Sequence, residues 1–422
     1  MHPLTLIFIA AVIASTLTRL WLAHRQLVAV RAHRERVPEP FAGEIALADH
    51  RKAADYTIAR VRFARLDRLI DAAVLLALTL GGVIALIDAA WHRLDWPELW
   101  QGVAVVASVL LLTALIELPL SLWQTFRLEA AFGFNRTTLG LFFLDRLKGL
   151  LLAVLIGGPL LIGALALMQW GGRWWWLTAW VAWLAVTVTL TWAWPAFIAP
   201  LVNRFSPLAD PALKAGIEAL LARCGFASKG VFVVDGSRRS AHGNAYFTGV
   251  GRNKRVVFFD TLLAHLQAPE IEAVLAHELG HFRLRHVRQR LWMSSLGALC
   301  GLALLGWLAH QPTLYAALGV PQPSAHAALL LFLLATPPFM YFVTPLAAAW
   351  SRRHERAADE FAAQHASASH LAAALVKLYR DNSSTLTPDR LHSAFYDSHP
   401  PALVRIAHLR ALAHETGAAS AA

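Results

Sequence analysis

Seven stretches of this chain are long and apolar enough to cross a bilayer, and nothing else limits its fold as strongly. Approximately, they cover residues 3–23, 69–91, 99–122, 149–170, 174–198, 291–309 and 327–350. Backbone groups inside hydrocarbon find no water, so such segments must bond internally as helices. Composition agrees, with 57% hydrophobic and only 15% charged residues, too little charge to cover a soluble surface of this size. Tryptophans gather at several span ends, notably Trp174, Trp175 and Trp176 and the pair Trp192 and Trp194, as an interfacial belt requires.

The net charge of +11 does not indicate nucleic acid, because the basic residues are sorted by loop. The connection 24–68 holds ten Lys or Arg, 123–148 holds Arg127, Arg136, Arg146 and Lys148, and 199–290 is again strongly basic. Between them, 92–98 has only Arg93, 171–173 has only Arg173, and 310–326 has none. The positive-inside rule then places every basic-rich segment in the cytoplasm, the N-terminus outside and the C-terminus inside. The first span carries its arginines after the apolar run and reads as a retained span instead of a cleaved signal. Cys224 and Cys300 are far apart and fit no metal or disulfide framework, so both read as packing residues.

This divides the chain into spans 1–5 over 1–200 with a partly helical cytoplasmic loop at 24–68, a polar part 201–290, spans 6–7 over 291–350, and a polar tail 351–422. Within 201–290, residues 207–224 read as an amphipathic helix, followed by short β runs at 231–234, 244–249 and 255–259. Gly251, Arg252 and Asn253 form a turn between the last two. A helix starts at Asp260, and Pro269 marks the first turn of the next.

That next helix holds His277-Glu278-Leu279-Gly280-His281. Positions i and i+4 share a helix face, so both imidazoles can reach one metal ion while Glu278 flanks it. A catalytic zinc site uses three protein ligands and a water. Glu355 and Asp359, again i and i+4, lie on the same side of the membrane; one can bind metal while the other orients a ligand imidazole. His286, five residues past His281, falls off the ligand face of a continuous helix and reads as surface. Asp88 and Glu117, within or near the spans, need the interior or a partner. The prolines at 337, 338 and 345 break span seven and can aim Glu355 at the motif helix.

Four ordered blocks make the chain resemble the type I CAAX prenyl proteases along nearly its whole length: 240–247 (SAHGNAYF), 257–263 (VFFDTLL), 277–281 (HELGH) and 355–359 (ERAAD). Residues 132–136, 195–207 and 398–406 add supporting matches. The resemblance implies a mostly α membrane protein: seven transmembrane helices form a barrel around a water-filled chamber, with a small α+β zinc-metalloprotease domain on the cytoplasmic side. It implies one Zn²⁺ per chain on His277, His281 and Glu355, with Glu278 as general base and Asp359 behind a ligand. It also implies substrate contacts from an edge strand including Asn244, Ala245 and Tyr246. His399 would bond the developing oxyanion, and Arg405 would order that region or bind a carboxylate. The partners implied are membrane lipids and a peptide or protein, lipidated or not. The Ala/Arg-rich composition suggests a bacterial chain in an inner membrane, for which quality-control proteolysis without prenyl specificity is an alternative. A channel or scaffold with a vestigial motif is a remote one, since Glu278, Glu355 and Asp359 are all present.

Overall fold

The computed structural model describes residues 2–226, 230–248 and 255–421; the turn expected at Gly251–Asn253 lies outside them. Among the described residues, six helices are long and apolar enough to span a membrane unaided: Pro3–His33, Glu98–Glu129, Leu139–Trp170, Gly172–Ala193, His286–Leu308 and Ala325–His365. The expected second span is not one helix. It is Leu47–Leu78 followed by Val83–His92, bent by 46°. Gly82, in the left-handed region at φ 74°, permits a turn that most L-residues avoid. Past the bend, Asp88 accepts hydrogen bonds from Gln101 (3.2 Å) and lies 3.0 Å from His326 Nε2. The charge expected to need a partner thus ties the bent segment to the third and seventh spans.

The spans close into a ring. In chain order each packs on the next, Gly172–Ala193 meets His286–Leu308, and Ala325–Met340 returns to Pro3–His33. Ala325–Met340 also touches Glu98–Trp123 and the Gly158–Trp170 helix, so that end of the ring is filled. A buried cluster including Phe8, Ile84, Val105, Tyr315 and Leu331 packs it. Leu155, Trp170, Trp292, Trp307 and Leu346 are exposed, which suits a protein whose solvent is partly lipid. Cys300 is exposed while Cys224 is buried, so only the second packs as expected.

The polar segments fold together. Four short strands lie in the order β1 (Phe205–Pro207), β2 (Val231–Val234), β4 (Arg255–Phe259) and β3 (Ala245–Thr248). β2 and β4 run parallel, and β1 and β3 are antiparallel edges. The helix expected at 207–224 runs Pro211–Arg223, N-capped by Asp210. The motif helix is Ala268–Arg283, with Pro269 in its first turn; Glu270 caps the Gln267 N–H at 2.8 Å. Sixteen residues make a marginal helix alone. Burial of Ile271, Val274, Leu275 and Leu279 in the core shared with Phe258, Leu262, Leu371 and Ile406 fixes it.

The loop 24–68 is mostly helix, because the first span continues to His33 and the next begins at Leu47. The Ala325–Met340 helix ends just past Pro337 and Pro338, a 3-10 turn over Tyr341–Val343 follows, and Thr344–His365 restarts with Pro345 in its first turn. This last helix crosses the motif helix at close range. A Cβ on Gly280 would stand 3.1 Å from both Ala358 Cα and Phe361 Cβ.

Gly280→Val is therefore expected to wedge these helices apart, destabilising the fold by about 1–3 kcal/mol. Gly297, with nothing within 4 Å of a built Cβ, is the control. Thermal unfolding in detergent checks both, and equal midpoints for Gly280→Val and Gly297→Ala would refute the close-packing account.

Candidate active site

The motif helix and the Thr344–His365 helix cross so that three side chains converge. Nε2 of His277 and Nε2 of His281 are 3.2 Å apart, and Glu355 carboxylate oxygens lie 3.3 Å and 3.4 Å from them. Each imidazole turns its other nitrogen away. His277 Nδ1 donates to Asp359 Oδ1 at 2.8 Å, and His281 Nδ1 lies 3.0 Å from His286 Nδ1. Both Nε2 lone pairs then point into one space beside a carboxylate, which is unfavourable without a cation between them. Among the described residues these three form the only His/Cys/Asp/Glu group whose ligand atoms all lie within 4.8 Å of one another.

The donor set fits zinc. Ligand bonds of about 2.1 Å in tetrahedral geometry separate neighbouring donor atoms by about 3.4 Å, close to the separations observed. Glu355 is 3% exposed, and among the described residues its Oε2 has no hydrogen-bond partner. A buried carboxylate oxygen of this kind calls for a cation. With both imidazoles neutral, as metal ligands are, Glu278, Glu355 and Asp359 against Arg405 leave a net charge of −2 (three negative, one positive), which a divalent ion neutralises.

The surroundings strengthen the pattern. Arg405 donates from Nε to Asp359 Oδ2 (2.8 Å) and from Nη2 to Oδ1 (2.7 Å), a bidentate pair in which both residues are buried. Burial opposes a charge on His277, but hydrogen bonds to Asp359 and Glu355 overcome it and raise its pKa to about 9. The same field that would hold a proton there favours a metal cation. Glu278 is half-buried, and burial pushes its carboxyl upward despite the nearby imidazoles.

A cavity of about 830 Å³ runs from Arg19, Phe63 and Arg65 among the spans to Asn244, His399 and Arg405. His399 Nε2 lies 3.4 Å from Glu355 Oε2, and its Nδ1 is 3.0 Å from Ser398 Oγ. Asn244 is exposed to the cavity rim, with its Oδ1 taken by the Ala245 N–H at 2.8 Å. Ala245 and Tyr246 begin β3, and among the described residues β3 pairs only with β4, so its outer backbone edge has no neighbouring strand among them. Ala245 packs on the core and the Tyr246 ring meets Phe259. What these two offer a ligand is backbone.

One expectation changes, at His286. Arg405, expected to order this region or bind a carboxylate, pairs through its guanidinium with Asp359 of its own chain. His286 is not a surface residue. It is 4% exposed and in contact with His281, because the helix does not continue past Arg283. The only sign in the sequence was the basic run Arg283, Arg285, Arg288 and Arg290, which marks where the chain enters the membrane. His242, by contrast, is structural: it stacks on Phe134 (4.3 Å, 17°) beside Asn382.

Known proteins share this architecture. Residues 26–204 match the family profile described as CAAX prenyl protease N-terminal, five membrane helices, and residues 207–413 match peptidase family M48. A CAAX prenyl protease 1 homolog of Arabidopsis thaliana is 32% identical over 394 residues, 92% of each chain. CAAX prenyl protease 1 of Saccharomyces cerevisiae is 35% identical over 330 residues, 73% of this chain and 72% of that one. The crystal structure of S. mikatae Ste24p superposes with a TM-score of 0.90 at 30% identity, covering 97% of this chain and 99% of that one. These relatives are eukaryotic and lend no support to the bacterial origin suggested by composition. Six membrane-length helices with one bent pair, a converging His–His–Glu set and agreement over both halves together make this chain a member of the CAAX prenyl protease family of M48 peptidases, a multi-pass membrane metallopeptidase.

Proposed function

We propose that this protein is a zinc endopeptidase that cuts C-terminal tails of prenylated proteins from a chamber opening to the cytoplasm. The observation that carries the reading is the convergence of His277, His281 and Glu355, which meet Arg405 and His399, two residues lining a cavity that reaches Arg19 of the first span. Charge sorting supports the cytoplasmic orientation. The names of the relatives support the prenylated substrate, and the cavity lined both by Arg19 of the first span and by His399 is in keeping with it.

His277, His281 and Glu355 would hold the zinc, which when bound would supply Lewis acidity and make a water acidic near neutral pH. Glu278 takes the proton from the attacking water and delivers it to the leaving amine. Its carboxyl, raised by burial, is suited to both accepting and returning that proton. His399, at the cavity wall beside Glu355, hydrogen-bonds the carbonyl oxygen as negative charge develops on it. The free edge of β3 at Ala245 and Tyr246 receives the peptide as an added strand, and Asn244 borders the scissile bond. Asp359, clamped by Arg405, keeps the proton of His277 on Nδ1 and its Nε2 pair free.

Glu278→Gln is expected to reduce peptidase activity by about 10²–10⁴-fold while leaving zinc content at one per chain, as read by metal analysis of detergent-purified protein. Inert wild-type protein, or a variant as active as wild type with chelator having no effect, would reject the enzyme reading. Asp359→Asn should weaken zinc affinity by about 10–100-fold in chelator competition; unchanged affinity would remove Asp359 from the site. A farnesylated peptide should be cut faster than its unlipidated twin. Equal rates would favour quality-control proteolysis without prenyl specificity.

A further inference from the structure

The two ligand imidazoles are oriented by different chemistry. His277 is backed by a carboxylate, whereas His281 is backed by a third histidine. His281 Nε2 faces Glu355 and His277, so the ring proton sits on Nδ1, and the atom that receives it is His286 Nδ1 at 3.0 Å. To accept, His286 must be neutral and carry its own proton on Nε2.

The backbone goes out of its way to put His286 there. On a continuous helix, five residues turn about 500°, leaving residue 286 about 140° away from His281. Instead the motif helix stops at Arg283, and Arg285 takes φ 60° and ψ 27°. A new helix then begins at His286 and runs into the membrane. A left-handed conformation at a residue with a Cβ costs roughly 1–2 kcal/mol and persists only where its surroundings enforce it.

Those surroundings are visible. The His286 ring lies flat on His354, with centroids 4.0 Å apart and planes 7° from parallel. His354 Nε2 donates to Gln289 Oε1 at 2.9 Å, and Trp350 flanks it at 4.4 Å. His354 immediately precedes Glu355, so this stack joins the helix of the third ligand to the second ligand. Both rings are buried.

We propose that His286 is a positioning residue of the metal centre: its Nδ1 lone pair holds the His281 proton on Nδ1, and His354 holds His286 in place. The assignment rests on His277, His281 and Glu355 binding zinc. Two variants separate the hydrogen bond from the packing. His286→Phe keeps an aromatic ring against His354 and removes the acceptor, whereas His286→Asn loses the stack and keeps an acceptor oxygen near the Nδ1 position. Zinc affinity is read by chelator competition and ligand geometry by the visible spectrum of the cobalt-substituted protein, both in detergent with full-length chain.

His286→Phe should weaken zinc binding by about 10–100-fold and alter the cobalt spectrum, and His286→Asn should recover most of both. Wild-type affinity and spectrum in His286→Phe would overturn the proposal, as would equal losses in Phe and Asn variants. Should His286→Phe fail to fold, His286→Leu compared with His286→Asn gives the same contrast. A wild-type chain that binds no zinc would instead refute the metal-site reading beneath it.

Discussion

Most of the site hangs on the line Arg405–Asp359–His277. It joins three segments that are distant in sequence: the C-terminal tail, the helix leaving the last span, and the motif helix. Burying a guanidinium and a carboxylate together is expensive, and the pair stands because each partner is bidentate and Asp359 also accepts from His277. Removing either one would strand a buried charge, at a cost of roughly 3–5 kcal/mol. The line thus fixes tail and scaffold at once, and His399 and the cavity wall beside it follow from where the tail is pinned.

The catalytic part is not a separate body resting on the membrane. Its two principal helices are extensions of spans: Thr344–His365 continues the seventh after a proline-marked turn, and the motif helix passes through Arg285 into the sixth. Ligands on such elements inherit the rigidity of the ring. Gly280 lets the two backbones approach so closely that a Cβ there would stand 3.1 Å from Ala358 Cα, and that approach brings Glu355 level with the histidine pair.

What the sequence discloses is what is periodic or locally spaced. The spans, their charge sorting, His277 with His281, and Glu355 with Asp359 are all of that kind; the structure brings these four side chains together and gives six membrane-length helices with the second span bent. The break over 79–82 is hidden because an apolar run continues on both sides of it. β1, three residues including Pro207, is too short to show a two-residue period. The location of His286 depends on a left-handed turn at Arg285, where no glycine or asparagine signals one. The commitment of Arg405 to Asp359 is a contact across 46 residues, and no local pattern carries it. Local rules fail here where tertiary packing overrules them.

The unpaired edge of β3 has a consequence for selectivity. Backbone N–H and C=O groups are the same for every residue, so a peptide read through such a ladder is recognised by being extended, with little regard to its letters. In solution an open edge of this kind invites other chains to stack on it. On the proposed reading, a peptide reaches this edge past Asn244, which lines a cavity shared with Arg19 of the first span. Discrimination then shifts from the place of cutting to the doorway, and the membrane itself becomes part of the filter.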